Sequence, residues 1–155
     1  MRIFVTGATG FIGYNLVKEL EKKKIKTLAF ARKIENVNQK KFKYVKFISL
    51  DIYKQKKIFK IFGTPKILIH LAWEGLPNYQ KNFHIKKNLP NDLAFLKRAI
   101  DNDVKQLIIS GTCYEYGKQE GCLNENLKTI PYTKYAKAKD ILRLKLEKIR
   151  IKKPF

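Results

Sequence analysis

The sequence predicts an α/β protein: a doubly wound parallel sheet of about five strands with helices on both faces. Three observations lead there. The chain opens with a short apolar run, Ile3-Phe4-Val5-Thr6, that passes through a glycine-rich turn directly into a helical stripe. Four further apolar runs follow, separated by segments with helical spacing or by polar loops. One of them, Ile67-Leu68-Ile69-His70-Leu71, is almost unbroken in apolar character, as strands covered on both faces are.

The first turn sets the rest. Gly7, Gly10 and Gly13 recur at three-residue spacing, and Ile12, Leu16, Val17 and Leu20 form the apolar stripe of the helix behind them. In a dinucleotide-binding turn, Gly7 permits the tight bend and Gly10 lets backbone N–H groups approach a pyrophosphate. Gly13 lets the helix sit close to the sheet. The spacing is one residue wider than the commonest Rossmann fingerprint, and its weight comes from its place between a strand and a helix.

Lys26 to Ala31 reads as the second strand, ending at Arg32-Lys33. In such a fold this end faces the adenosine ribose, where a carboxylate suits the hydroxyls of NAD. Arg32 and Lys33 suit instead the 2′-phosphate of NADP, with NAD the alternative; a plain basic loop fits the same residues. The third strand is Tyr44 to Ser49, and Asp51 after it reads as a helix cap. The next helix runs through Gln55, Ile58, Phe59 and Ile61 and closes at Gly63 before Pro65. The fourth strand is Ile67 to Leu71, and His70 within it reads as structural.

Leu89, Leu93, Leu96 and Ile100 carry a helix that closes at Asp101-Asn102, with Pro90 predicting a kink or a fresh start near Leu89. Gln106 to Ser110 is the fifth strand. A loop from Gly111 to about Pro131 leads to a long helix from Tyr132 to roughly Ile149. The whole of residues 1–155 is expected to form a single domain.

Composition is that of an ordinary globular chain, 45% hydrophobic and 30% charged. No apolar run approaches the length that spans a bilayer, and no signal-peptide pattern opens the chain, so the cytoplasm is the expected setting. Cys113 and Cys122 lack metal-ligand spacing; both read as plain thiols, and no metal is expected. The 34 basic residues against 13 acidic give a net charge of +21. Most of the basic residues are Lys scattered through every element, and the wealth of Ile, Asn, Phe and Tyr beside them fits coding bias. No helix-turn-helix, zinc finger or RNA-binding signature accompanies the charge, which argues against a nucleic-acid partner.

Tyr135 and Lys139 place a phenol and an ammonium one turn apart on one helix face. A free tyrosine has a pKa near ~10, and a neighbouring cation that stabilises the phenolate brings it toward neutral-pH proton transfer. Thr112 stands just beyond the fifth strand's carboxyl end, the ligand-binding edge of an open α/β sheet; its alternative reading is a turn hydroxyl.

Together these residues resemble the extended short-chain dehydrogenase/reductase family, in its NAD(P)-dependent epimerase/dehydratase branch acting on nucleotide sugars. The resemblance covers nearly the whole chain. The loop Gly7-Ala8-Thr9-Gly10-Phe11-Ile12-Gly13 matches the family's cofactor loop, with Thr9, Phe11 and Ile12 between its glycines. Asp51-Ile52 matches the pair that contacts adenine. His70-Leu71-Ala72-Trp73 resembles a cofactor-side His-Leu-Ala-Ala segment, with Trp73 where a small residue is usual. Asn88 matches the asparagine that opens the next helix.

Thr112, Tyr135 and Lys139 match the family's catalytic set. The resemblance implies that Tyr135 is the acid/base on a sugar oxygen and that Thr112 hydrogen-bonds the same oxygen. Lys139 holds the nicotinamide ribose and lowers the tyrosine pKa.

Cys113-Tyr114 stand where the family's 4,6-dehydratases carry an Asp-Glu pair, which argues against dehydration. A 4-keto-sugar reductase or an epimerase of deoxysugar synthesis for surface polysaccharide is the expectation. Family members continue into a substrate-binding domain that this sequence does not contain. That leaves open a non-catalytic cofactor-binding remnant, or half of an enzyme completed by another chain. The resemblance also implies a homodimer.

Overall fold

The computed structural model describes residues 2–155, whose contacts gather into two compact units. The first unit holds residues 2–72, 95–110 and 155. Its strands are β1 (Ile3–Thr6), β2 (Thr27–Ala31), β3 (Val45–Ser49), β4 (Ile67–His70) and β5 (Gln106–Ile109). They form one sheet in the order β3-β2-β1-β4-β5, every pairing parallel. The predicted α/β architecture is the one observed, with strand ends within one residue of the sequence reading. β1 lies centrally, with Thr6 opposite Phe30 of β2 and His70 of β4.

Both faces of that sheet are covered, which is why its central strands carry so little polarity. On one face Phe4, Phe30, Phe59 and Phe95 pack ring against ring, with centroids 5.0 to 6.4 Å apart. On the other, Ile3, Val5, Ala29, Phe47 and Ile69 bury against Val17 and Leu20 of helix α1 (Phe11–Lys22). A single carboxylate ties α1 to the start of β3: Glu21 accepts from the N–H groups of Lys43, Tyr44 and Val45 at 2.8, 2.7 and 2.9 Å. Burial would raise its pKa, and those three bonds bring it below the ordinary carboxylate value.

One predicted helix differs from expectation and another takes one of its two expected forms. Helix α2 covers only Ile58–Phe62, because the Asp51 carboxylate caps a separate turn, accepting from Tyr53 N–H at 3.0 Å and Lys54 N–H at 3.3 Å. Helix α3 (Leu89–Asp101) does start afresh at Leu89, so Pro90 sits in its first turn, and a π-helical turn at His84–Asn88 precedes it. The second unit holds residues 73–94 and 111–154. Within it, helix α4 (Lys134–Lys152) packs against that π turn and against a 3-10 turn at Cys113–Glu115. Thr133 starts α4 by accepting from the Ala136 N–H at 3.0 Å, two residues later than the sequence suggests. Among the described residues no helix is long and apolar enough to cross a membrane.

Candidate active site

In the first unit the turn after β1 is built as a cradle. Gly7 has φ +68°, and a Cβ there would meet the Ala72 nitrogen at 2.8 Å, so the loop can pass the end of β4 only as glycine. A Cβ on Gly13 would collide with the Gly7 carbonyl. Gly10, the N-cap of α1, supplies no side-chain cap and has more room, its nearest Cβ neighbour being 3.3 Å away. The first turn of α1 therefore presents its backbone N–H groups without a competing side chain. Phe11 and Ile12 stand exposed beside it, 88% and 61%.

Thr6 fixes this edge. Its hydroxyl lies 2.8 Å from His70 Nδ1 and accepts from the Ala72 N–H at 3.4 Å, tying β1 to the strand end that carries Leu71 and Ala72. His70 is 1% exposed, the structural position expected of it. Beyond the glycine turn a cavity of about 380 Å³ is lined by Thr9, Tyr14, Lys33, Ile34, Glu35, Asn36 and Val37. Arg32 is exposed at the end of β2, while Ile52 is buried. Glu35 is a carboxylate on the cavity wall that the sequence reading passed over, because it lies four residues past the strand.

In the second unit the three predicted catalytic residues come together. Thr112 caps its 3-10 turn in a reciprocal arrangement: its hydroxyl accepts from Tyr114 N–H at 3.4 Å, and Glu115 Oε1 accepts from Thr112 N–H at 2.8 Å. The Thr112 side chain is also a hydrogen-bond partner of the Tyr135 phenol. Tyr135 is anchored by its backbone N–H, which donates to the Tyr79 carbonyl at 2.9 Å. Lys139 follows one turn later; it and Tyr135 are 4% and 8% exposed.

Burial governs both titratable groups. It pushes the Tyr135 phenol above its ordinary value, the Thr112 hydrogen bond draws it partly back, and the Glu115 carboxylate adds to the rise. The same burial lowers the Lys139 ammonium, against the attraction of Asp92 and Glu115. Glu115, buried and raised by desolvation, links the Thr112 turn to α4 through Arg143 Nε at 3.5 Å. Its place was legible in the sequence, since Thr112-x-x-Glu115 is a capping-box pattern. Cys113 and Cys122 are exposed free thiols.

A parallel sheet entered through a strand–glycine–helix turn defines a Rossmann-like α/β protein. The chain belongs to the NAD dependent epimerase/dehydratase family, whose profile matches residues 3–150. It is 30% identical over 145 residues to the dTDP-6-deoxy-L-talose 4-dehydrogenase (NAD(+)) of Aggregatibacter actinomycetemcomitans, covering 92% of this chain and 53% of that protein. The crystal structure of UDP-glucose 4-epimerase from Thermotoga maritima, with UDP-glucose, matches with a TM-score of 0.83 at 25% identity. That match covers 99% of this chain and 52% of the epimerase. UDP-glucuronic acid 4-epimerase of Bacillus cereus, in complex with NAD, has the same fold, with a TM-score of 0.82 at 23% identity over 99% of this chain and 53% of its own. The chain spans about half the length of the relatives it matches.

Proposed function

We propose that this chain binds NAD(P) and carries the acid/base residues of an oxidoreductase or epimerase acting at C4 of a nucleotide sugar. The observation that carries the reading is the cluster of Thr112, Tyr135 and Lys139 in a chain whose first turn is a glycine cradle. The similarity to a 4-dehydrogenase of a dTDP-deoxysugar supports reaction at that carbon. Cys113 and Tyr114, in place of a carboxylate pair, support redox or epimerisation over dehydration.

The cradle fits the cofactor: Gly7 and Gly13 leave no room for a Cβ, and the start of α1 has no side-chain cap. Its diphosphate would lie on the N–H groups of Phe11, Ile12 and Gly13, the Gly10 N–H being taken by the Gly7 carbonyl at 3.0 Å, and its adenosine toward Asp51, Ile52 and the cavity beside Lys33. Leu71, Ala72 and Trp73 would line its path. Bound there, the nicotinamide supplies the hydride acceptor or donor. The protein's own part is proton handling and orientation. Tyr135 Oη takes or gives the proton of the sugar oxygen, Thr112 Oγ1 donates a hydrogen bond to that oxygen, and Lys139 holds the ribose hydroxyls.

A tyrosine at its ordinary pKa of about 10 is protonated at neutral pH, and burial disfavours the Tyr135 phenolate further, so in the reductive direction the phenol serves as the acid. Arg32 and Lys33 favour NADP, with Glu35 as the opposing charge on the cavity wall. The test is turnover of a 4-keto nucleotide sugar with NADPH or NADH, followed at the reduced nicotinamide's absorbance. Oxidation of the cofactor dependent on the sugar supports the reading; none, by a folded chain that binds the cofactor, refutes catalysis by this chain.

A further inference from the structure

We propose that Trp73 is the positioning residue of Lys139: its indole face seats the buried ammonium, and a neutral His84 locks the indole in place. The inference rests on the reading that Lys139 serves a nicotinamide cofactor. Lys139 is 4% exposed yet takes part in none of the ion pairs among the described residues. Its Nζ instead lies 4.5 Å from the centre of the Trp73 ring, well inside the range in which a ring quadrupole holds a cation.

The indole is itself fixed. Trp73 Nε1–H donates to His84 Nδ1 at 3.0 Å. An indole nitrogen can only donate, so Nδ1 is bare and the imidazole proton sits on Nε2, which donates to the Asn78 carbonyl at 3.0 Å. The Asn88 amide approaches the same Nδ1 at 3.4 Å, so a second proton there would face two donors. His84 is fully buried, and that burial lowers its pKa despite the Asn78 carbonyl. Stacking at 6.0 Å on His84 and an edge contact at 5.7 Å with Tyr135 complete the setting of the ring.

The groups facing Lys139 are the Trp73 ring, Tyr135 one turn earlier on α4, and the charges of Asp92 on α3 and Glu115 in the 3-10 turn. Those facing His84 are Trp73, Tyr135, Phe83, Asn78 and Asn88, all uncharged at neutral pH. A large aromatic thus stands where the family's corresponding segment has a small residue, and its ring meets the lysine ammonium.

Trp73 is the chain's sole tryptophan, so its emission reports on the seat directly. Raising the pH on the ligand-free protein should change that emission in a step that Lys139→Met lacks; identical titrations of the two proteins overturn the proposal. Trp73→Leu should lower the Lys139 pKa, followed by NMR at its Cε, by about one unit, a tenfold change in ionisation. Trp73→Phe should give a smaller shift and decides the matter should the leucine variant fail to fold. An unshifted lysine in a folded variant overturns the seat.

NADH affinity should fall about tenfold in Trp73→Leu, and in a Lys139→Met background the same change should cause no further loss, as expected of a contact acting through one lysine. A shifted lysine with unchanged NADH affinity overturns the positioning role. Failure of the folded wild-type protein to bind NADH refutes the cofactor reading instead, and the ligand-free titration still judges the seat.

Discussion

Replacing Gly10 with Ala separates a glycine needed for folding from one needed for ligand approach. Gly10 adopts φ −72° and ψ 169°, a conformation open to any residue, and a Cβ there would come no closer than 3.3 Å to the Gly7 carbonyl. An N-cap change of this kind costs about 0.5–2 kcal/mol at most, and less from a glycine that offers no side-chain cap. The folded protein should therefore lose under about 1 kcal/mol in urea unfolding. The same methyl would stand over the N–H groups on which a diphosphate must sit.

The NADH dissociation constant measured by calorimetry should accordingly rise at least about tenfold, roughly 1.4 kcal/mol. Gly13→Ala behaves differently: its Cβ would overlap the Gly7 carbonyl and lie 2.9 Å from Ala8 Cα, so stability should fall by about 1–3 kcal/mol along with binding. A Gly10→Ala protein that binds NADH as tightly as the parent would refute the cradle.

Other outcomes follow from single contacts. Tyr135→Phe should abolish turnover while leaving NADH affinity nearly intact; equal loss of both would remove Tyr135 from the acid/base role. Thr6→Val leaves His70 Nδ1 and the Ala72 N–H without the hydroxyl and should cost about 1–3 kcal/mol in chemical denaturation. Glu35→Gln removes a carboxylate from the cavity wall and should raise the preference for NADPH over NADH, read as the ratio of dissociation constants. Glu21 has its folded pKa below the ordinary carboxylate value. Its contribution is thus present above the unfolded value and lost as pH falls through the folded one. Glu21→Gln should flatten the acid limb of a stability–pH profile and leave the alkaline limb unchanged.

The strands were legible because a two-faced parallel sheet leaves unbroken apolar runs, and Ile67–His70 could hardly be anything else. The glycine turn was legible for a similar reason: its spacing reflects backbone clearances that the structure displays at Gly7 and Gly13. Helix ends were less so. α4 starts at the Thr133 hydroxyl rather than at the apolar Tyr132, and Asp51 spends its carboxylate on a local turn, which shortens α2.

The π turn at His84–Asn88 carries no periodicity that a sequence can show. The Trp73–His84–Lys139 arrangement was invisible for another reason: ring contacts across 66 residues of chain follow from packing and leave no local pattern. The same holds for the pKa of Tyr135, where a lysine one turn away suggested a fall and burial produced a rise.

Calorimetric titration of the purified chain with NADH and, separately, with NADPH tests the central claim most directly. Saturable binding at one site per chain, weakened at least about tenfold in Gly10→Ala, is the predicted result. A folded chain that takes up neither nucleotide would contradict the account at its root.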